Sequence, residues 1–245
     1  MDMMKKTLCE GLPRLGLSLS EETADTLCAF GSAVVEQNKV MNLTAITEPD
    51  QVAKLHLLDS LSLLAVKDLK GKRIVDVGCG AGFPGVPVKI ACPQAELTLL
   101  DSLGKRMQWL ETILPQLGVE ATCVTARAEE AVVSCRESYD VATSRAVARL
   151  NILLELTAPF VKVGGSLVAM KAKGAHEEFE ASRSAIRQLS GADSLQTAKL
   201  FETTLKGTVN GEMIEENRTI ITVNKKSSTP KMFPRKFAQI KKNPL

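Results

Sequence analysis

The chain has 245 residues, of which 44% are hydrophobic and 24% are charged, so it can bury one substantial core. Six cysteines without a C-x-x-C pair and only two histidines argue against a metal centre, and we expect reduced thiols and no metal. The net charge is +3, and neither a membrane-spanning apolar run nor a signal-peptide core is evident, so we expect a soluble, cytoplasmic protein without a membrane partner.

Residues 1–70 are predicted to form a helical extension that packs on the core. Ser18 and Glu21 have the spacing of a capping box before an amphipathic run. A second helix is predicted with Thr47 as its cap and Pro49 in its first turn. Four leucines then recur at helical spacing, at Leu55, Leu58, Leu61 and Leu64.

Residues 71–224 alternate short apolar runs with amphipathic stretches, which is typical of a mostly parallel sheet covered by helices. The predicted parallel strands are Arg73–Val77, Glu96–Asp101, Ala121–Thr125, Tyr139–Thr143 and Ser166–Lys171. Two closing strands fit Leu195–Thr204 and Arg218–Val223. The pattern predicts an α/β fold with a doubly wound, Rossmann-like sheet. With the tail, residues 225–245, the three parts are expected to form one folded unit.

Several residues of this core are interpreted as structural. A helical stripe between the second and third strands is predicted to pack inward, at Leu103, Met107, Leu110, Leu114 and Leu117. Trp109 beside it is interpreted as a packing residue rather than a platform for a base. Cys79 is interpreted as a small turn residue rather than a nucleophile, and His56 as a helix residue rather than a catalytic base.

The strongest chemical signal is the strand and glycine-rich turn from Ile74 to Gly85. Glycines such as Gly78 and Gly80 let the backbone turn sharply and approach a ligand, although several classes of nucleotide binder share this feature. Asp76 would repel the pyrophosphate of a dinucleotide but attract the ammonium and sulfonium of S-adenosylmethionine. We therefore predict S-adenosylmethionine as the cofactor; the alternative is that Asp76 only caps the turn.

Two further positions extend this cofactor site. Asp101 ends the second strand 23 residues after Gly78, where an acidic side chain accepts hydrogen bonds from ribose hydroxyls. Ala128 and Glu129 follow the third strand, where the backbone or the carboxylate would meet the adenine amino group. A solvated acidic helix start is the alternative for Glu129.

The fourth strand is predicted to end beside the transferable methyl group, at Ser144-Arg145-Ala146. It carries neither an Asn-Pro-Pro-Tyr segment nor a Pro-Cys nucleophile. A target with a free lone pair, such as guanine N7, then needs orientation and charge stabilisation rather than a general base. We predict that Arg145 supplies these or binds the cofactor; the alternative is a surface ion pair.

The tail carries seven basic residues and no acid, so the remaining 24 basic and 28 acidic residues give the rest of the chain a net charge of −4. Such a tail is typical of a segment that contacts phosphates. We predict RNA contacts at Arg235, Lys236, Lys241 and Lys242. Residues 225–230 are interpreted as a linker. The alternative is a solvated tail that only aids solubility.

The chain resembles the bacterial 16S ribosomal RNA guanine-N7 methyltransferases, once called glucose-inhibited division protein B, along essentially its whole length. The segments that carry the resemblance are 38–44, 56–61, 75–85, 99–106 and 144–146. The resemblance implies methyl transfer to N7 of a guanine in the conserved loop near the decoding region. It also implies a cofactor site at Gly78, Phe83, Ala128, Glu129 and Arg145, of which Phe83 would otherwise be assigned to the core.

The chain departs from this family in its tail, where Pro234-Arg235 leads into 237–240, and at Gln37, where a tryptophan is common. The expected partner is 16S ribosomal RNA or the small ribosomal subunit, with no obligate protein partner. Two rival functions remain. One is an S-adenosylmethionine-dependent methyltransferase of a small molecule or protein, and the other is a non-catalytic RNA-binding assembly factor. An NAD-dependent oxidoreductase is disfavoured by Asp76 and by the lack of a Tyr-x-x-x-Lys pair.

Overall fold

The computed structural model describes residues 2–209 and 212–245, and the side chains of these except 205–209 and 212–216. Its described part forms a seven-stranded sheet in the order β3-β2-β1-β4-β5-β7-β6. The strands are β1 (Arg73–Val77), β2 (Glu96–Asp101), β3 (Thr122–Thr125), β4 (Tyr139–Arg145), β5 (Val161–Lys171), β6 (Lys199–Val209) and β7 (Glu212–Asn224). Strands β1 to β5 are parallel, whereas β7 runs antiparallel to both β5 and β6. The prediction of a doubly wound, mostly parallel α/β sheet is confirmed.

The predicted strands are present, with shifted ends. Strand β3 begins one residue after the predicted Ala121, and β4 continues to Arg145. Strand β5 begins at Val161, five residues early, because Val161 pairs with Tyr139 at the start of β4 and Gly164 and Gly165 exchange backbone hydrogen bonds with Lys225. The closing strand β6 begins at Lys199 rather than Leu195, since residues 195–197 form a turn that continues the 3-10 turn Ala192–Ser194.

The apolar side chains of the strands alternate between two cores because successive residues point to opposite faces of a sheet. On β1, Ile74 belongs to one core and Val75 to the other; on β2, Leu99 and Leu100 divide in the same way. The N-terminal helices cover the Ile74 face together with the helices that follow β1 and β2. The tail covers the opposite face, where Phe233 is buried. Both ends of the chain therefore contribute to the packing of the sheet.

The helices before the sheet are α1 (Met3–Gly11), α2 (Glu21–Met41), α3 (Pro49–Val52), a π-helical turn (Ala53–Leu58) and α4 (Asp59–Val66). Two predicted caps are wrong. The side chain of Ser20, not Ser18, accepts a hydrogen bond from the Thr23 N–H at the start of α2. Glu48 rather than Thr47 occupies the cap position of α3, without a side-chain hydrogen bond.

The remaining helices are α5 (Gly85–Ala91), α6 (Gly104–Gln116), α7 (Ala128–Cys135), α8 (Leu150–Thr157), α9 (Ala175–Ala181), α10 (Arg183–Ser190) and α11 (Phe237–Lys242). The predicted stripe on α6 is buried at Met107, Leu110 and Leu114. Leu103 is 51% exposed because it precedes the helix as its cap residue, so this part of the prediction is wrong. Trp109 packs on Phe30, with ring centroids 6.4 Å apart, as a packing residue should. Among the residues described, no helix combines the length and apolarity needed to cross a membrane.

The interpretation of residues 225–230 as a linker is wrong. Lys225 is completely buried, and its ammonium donates to Glu137 Oε1 at 2.7 Å and to the carbonyls of Ala158 and Val161. Further along, both Nη atoms of Arg136 donate to backbone carbonyls of residues 229–233. Lys225 therefore anchors the start of the tail and is unavailable to phosphates.

The tail then follows α8 from its end toward its beginning. Arg235 Nη2 lies 2.6 Å from Oε2 of the buried Glu155, and its Nε donates to Oε1 at 2.8 Å. The carbonyl of Leu245 accepts a hydrogen bond from Asn151, one helical turn earlier on α8. Because α8 starts beyond the carboxyl end of β4, the last residues of the tail approach that edge of the sheet.

Candidate active site

The turn after β1 is held by backbone hydrogen bonds and by two carboxylates. Gly78, Gly80 and Gly82 all have positive φ angles, a conformation that side chains other than glycine rarely adopt. The N–H of Gly78 donates to the Leu100 carbonyl at 2.7 Å, which ties the turn to β2. A Cβ atom at Gly80 would meet nothing nearer than an Arg106 side-chain nitrogen at 3.8 Å. The turn therefore has open space on the side of Gly80, where a ligand can approach the backbone.

Asp76 is fully buried beneath this turn. Its Oδ2 accepts a hydrogen bond from the Gly85 N–H at 2.8 Å, so the turn-capping role weighed from the sequence is present. Its Oδ1 has no partner among the described residues. Thr143 is paired with Asp76 in the β1–β4 register, and its Oγ1 is likewise buried without a partner. Two unsatisfied oxygens at one place indicate that a cation or a bridging water belongs there.

Burial dominates the electrostatics of Asp76. It raises the pKa of the carboxyl to about 7, against the opposing effects of the Gly85 hydrogen bond and the Arg145 charge. A cationic ligand nearby would favour the ionised form, which is the interaction that an ammonium and a sulfonium provide. The residues present thus fit S-adenosylmethionine.

Asp101, at the end of β2, holds the other side of the turn. Its Oδ2 accepts from the Gly80 N–H at 3.0 Å and its Oδ1 from the Leu103 N–H at 2.9 Å. Each oxygen keeps a second lone pair for a ribose hydroxyl. Ala128 and Glu129 lie half-buried in the first turn of α7. These three remain predicted cofactor contacts, as do Gly78 and Gly80.

Arg145 is the last residue of β4, and its guanidinium turns toward the N-terminal helices. Nη1 donates to Asp59 Oδ2 at 2.7 Å and to the Leu55 carbonyl at 3.0 Å. Nη2 lies 3.1 Å from Nδ1 of His56. The ion pair is partly buried rather than exposed, so the surface-pair alternative does not describe it. Arg145 is held by partners that the sequence analysis did not assign to the site.

His56 and Phe83 lie against this guanidinium. Their rings stack with centroids 4.6 Å apart, and the guanidinium carbon lies 5.0 Å from the Phe83 ring centroid. Phe83 also packs on Phe30 and is 5% exposed, which is the geometry of a core residue. A cofactor contact of Phe83, implied by the family resemblance, stays a prediction.

The His56 imidazole is neutral, since burial and then the Arg145 charge lower its pKa to about 3. Its Nδ1 faces a guanidinium, which only donates, so Nδ1 accepts and the proton lies on Nε2. Nε2 then donates to Thr44 Oγ1 at 2.7 Å. Both ring nitrogens are occupied, in agreement with the interpretation that His56 is not a catalytic base.

A cleft of about 530 Å³ opens beside Arg145 at the carboxyl edge of the sheet. Its walls come from the loop after α2, the π-helical turn and α4, the loop between β4 and α8, the end of β5 with the loop after it, α9 and β7. The lining residues include Ile46, His56, Asp59, Arg145, Arg149, Lys171, Lys173, Glu178 and Arg218. Five of these side chains are arginine or lysine, and two are acidic. A basic cleft of this volume suits a nucleotide with its phosphate.

The loop from Arg145 to Arg149 is fixed in an unusual conformation. Ala146 has a φ of 57°, a left-handed conformation that costs an alanine roughly 1 kcal/mol. Lys171 Nζ donates to the Ala148 carbonyl at 2.6 Å and pairs with Glu178 at 2.8 Å. Strained backbone held by surrounding contacts is frequent at functional sites.

Asp59 and Arg218 meet in this cleft, and neither was predicted from the sequence as a site residue. Asp59 Oδ1 lies 3.2 Å from Arg218 Nε, while Oδ2 binds Arg145. Asp59, Arg145 and Arg218 come from distant parts of the chain, so no local sequence pattern identifies them as one cluster. The one available signal was the spacing of His56 and Asp59, which places them on one face of a helix.

Of the predicted RNA contacts, Lys236, Lys241 and Lys242 are exposed. Arg235 differs because its guanidinium is already bound by Glu155. Its predicted phosphate contact has to compete with a buried carboxylate, so the proposal of RNA binding rests on the three lysines. Among the side chains that the structure describes, no group of three or more potential metal-ligating residues is found.

Comparison with known proteins decides the family. The model of the family described as rRNA small subunit methyltransferase G matches residues 23–224. The chain belongs to the rRNA small subunit methyltransferase G family. A curated member from Desulfitobacterium hafniense is 42% identical, covering 95% of this chain and 93% of its own. A member from Acetivibrio thermocellus is 39% identical, covering 99% and 97%. Both are named ribosomal RNA small subunit methyltransferase G.

Solved structures support the fold of this family member. An S-adenosylmethionine-dependent O-methyltransferase from Thermotoga maritima superposes with a TM-score of 0.54 at 14% identity, over 80% of this chain and 73% of its own. A precorrin-6Y C5,15-methyltransferase from Geobacter metallireducens gives 0.53 at 12% identity, over 77% and 92%. The protein thus has the fold of S-adenosylmethionine-dependent methyltransferases, and family and fold together imply that cofactor.

The Asp76 carboxyl predicts a pH dependence of cofactor binding. The pKa of Asp76 without a ligand is about 7, and a bound cation favours the ionised carboxylate. Affinity for S-adenosylmethionine should therefore rise with pH between about 6 and 8, and below the pKa the rise should approach tenfold per pH unit. Isothermal titration calorimetry at several pH values measures this. Asp76→Asn should weaken binding and remove the dependence, whereas Asp68→Asn, an exposed carboxylate before β1, should keep it. Affinity independent of pH in the wild type would contradict the assignment.

Proposed function

We propose that the protein transfers the methyl group of S-adenosylmethionine to N7 of a guanine in 16S ribosomal RNA, in the conserved loop near the decoding region. The observation that carries the proposal is the environment of Arg145 at the end of β4. Within the described cleft, His56 is neutral and bound at both ring nitrogens, and Asp59 is paired with two arginines. Glu178 is likewise paired, with Lys171. A target that has to lose a proton finds no base here.

Guanine N7 suits such a site because its lone pair is free and carries no proton. The lone pair would form the new C–N bond as the S–C bond of bound S-adenosylmethionine breaks, so the thioether would leave and the positive charge would pass from sulphur to the base. No proton leaves the guanine in this step. The protein then has to orient the base and exclude water rather than supply a general base.

S-adenosylmethionine supplies the methyl group and a leaving group when bound. Asp76 and the backbone of Gly78 and Gly80 would hold its methionine part, and Asp101 its ribose. Ala128 and Glu129 would contact the adenine. Arg145 would donate to guanine O6, the acceptor beside N7, and so leave N7 open to the methyl group.

The test is transfer of labelled methyl from S-adenosylmethionine to small ribosomal subunits that lack their native guanine-N7 methylation. Mass spectrometry of the product RNA should place the label on one guanine of the loop near the decoding region. Labelling of another position would overturn the proposed target. Cofactor binding without any transfer would favour a small-molecule or protein substrate, and absence of cofactor binding would favour a non-catalytic assembly factor.

The tail is proposed to contact RNA phosphates through Lys236, Lys241 and Lys242. Replacing all three by alanine should weaken RNA binding and lower the slope of log K against log salt by about 2, since each phosphate contact contributes roughly 0.7 to 0.9. Equilibrium binding to small-subunit RNA at several salt concentrations measures the slope.

A matched control uses three exposed lysines at the opposite edge of the sheet. Lys70 and Lys72 precede β1, and Lys162 lies near the start of β5. Their triple alanine variant removes the same charge, so a change confined to the tail variant supports a local contact. Equal losses in both variants would reduce the tail to a contribution to net charge.

A further inference from the structure

Asp59 lies where the N-terminal helices meet the end of β4 and the strand β7. We propose that Asp59 is a positioning residue for methyl transfer, which fixes Arg145 so that its remaining N–H groups are presented to the target base. The inference rests on the proposed function, because it assigns Arg145 the task of orienting a guanine. It gives the N-terminal extension a role in catalysis rather than only in packing.

The Asp59 carboxylate lies buried between two guanidinium groups. Asp59 is 3% exposed although its side chain is charged, and it faces two cations. Oδ2 lies 2.7 Å from Arg145 Nη1, and Oδ1 lies 3.2 Å from Arg218 Nε. Arg145 and Arg218 come from two different strands. A single buried carboxylate thus joins two guanidinium groups at one wall of the cleft.

Arg145 has more N–H donors than its contacts within the described residues use. A guanidinium has five N–H groups in a rigid plane. Three are directed to Asp59, to the Leu55 carbonyl and to His56. Among the described residues, Nε–H and one N–H of Nη2 are left over. These two can donate to an acceptor in the cleft without disturbing the other three, which is the arrangement needed to hold guanine O6.

The three partners of Arg145 lie on one short stretch of irregular helix. Leu55 and His56 lie in the π-helical turn, and Asp59 follows it directly. Single π-helical turns inside helices frequently mark functional sites. The wider turn leaves the Leu55 carbonyl to accept from Arg145. His56 links the turn to Thr44, whose hydroxyl oxygen also accepts from the Ile46 N–H. The network therefore extends to the loop that forms the outer wall of the cleft.

The charge of Asp59 also affects the transfer. The target ring gains a positive charge during the transfer, and an unpaired Arg145 beside it would oppose this charge. Asp59 offsets the charge of Arg145 while leaving its hydrogen-bond donors in place. A neutral amide at position 59 cannot do this, and its N–H₂ group would face one of the two guanidinium groups.

The experiment compares Asp59→Asn with Asp50→Asn in the full-length protein. Asp50 is a carboxylate on the same helical segment, and it pairs with Lys54 four residues later. We expect Asp59→Asn to lower kcat on the unmethylated small subunit about 10-fold to 100-fold, the cost of misplacing a catalytic group. Asp59→Asn should also lower the melting temperature, because two guanidinium groups lose their carboxylate, so kcat is measured well below the melting transition of the variant. The Kd for S-adenosylmethionine should stay near the wild-type value, and Asp50→Asn should retain full kcat. Equal kcat in the Asp59→Asn variant and the wild type would overturn the inference.

A second readout separates positioning from folding. The chain has two histidines, so the ¹⁵N shifts of His56 are readily assigned. The wild type should show the Nε2–H tautomer, and Asp59→Asn should lose it as Arg145 leaves Nδ1. Asp59→Glu keeps the charge and should restore part of both kcat and the tautomer. Retention of the wild-type tautomer in Asp59→Asn would overturn the inference even where the protein proves inactive on ribosomal RNA, an outcome that bears on the proposed function instead.

Discussion

Replacement of Arg145 by alanine is expected to reduce methyl transfer to the small subunit about 100-fold or more, the cost typical of losing an oriented donor at a reacting centre. Arg145 contacts the Leu55 carbonyl, His56 and Asp59 at once. Its loss removes the donors for the base and also leaves Asp59 with Arg218 alone. Single-turnover transfer of labelled methyl, with saturating cofactor, measures the effect on the chemical step.

Arg145→Lys sharpens this test because it preserves the charge. An ammonium cannot reproduce the planar fork that meets three acceptors and still faces the cleft. We therefore expect the lysine variant to recover little of the lost rate. Arg183→Ala is the control, since Arg183 is an exposed arginine whose described ion pair is with Glu180 on the preceding helix α9. A lysine variant near the wild-type rate would reduce the role of Arg145 to charge, and an active alanine variant would make it structural.

The parts of the fold that depend on local pattern could be predicted from the sequence. The alternation of apolar residues in β1 and β2, the glycine turn and Asp101 at the end of β2 follow from short-range rules. Leu103 shows the limit of such rules, because its helical spacing is correct but the helix begins one residue later. Helix ends depend on which side chain or contact satisfies the terminal N–H groups, which a periodic pattern does not encode.

Long-range charge pairing could not be predicted. Lys225 looked like one of seven solvated cations, yet Glu137 and two carbonyls hold it inside the protein. Asp59 looked like a polar residue on a helix, yet it joins Arg145 and Arg218. Each of these contacts depends on elements that become neighbours only in the folded sheet. The sequence therefore located the glycine-rich turn but not the partners that contact Arg145 at the end of the neighbouring strand.

The pair of Arg235 and Glu155 predicts a large effect on stability. Arg235→Ala is expected to lower the free energy of unfolding by about 3 kcal/mol, because removing one partner of a buried ion pair leaves the other charge uncompensated. Glu155 is completely buried on α8, and its two oxygens are bound by the guanidinium and by the Arg235 N–H. Urea unfolding followed by circular dichroism measures the change.

Lys236→Ala is the matched control, since Lys236 is the next residue and is exposed. It should alter stability by less than about 0.5 kcal/mol, as surface substitutions usually do. Adding Glu155→Gln to Arg235→Ala should recover part of the loss, because the amide removes the uncompensated charge. A loss below about 1 kcal/mol, the value typical of an exposed pair, would show that Glu155 reaches water when the tail detaches. In that case Arg235 is free to bind phosphate, and the tail is a mobile arm rather than part of the fold.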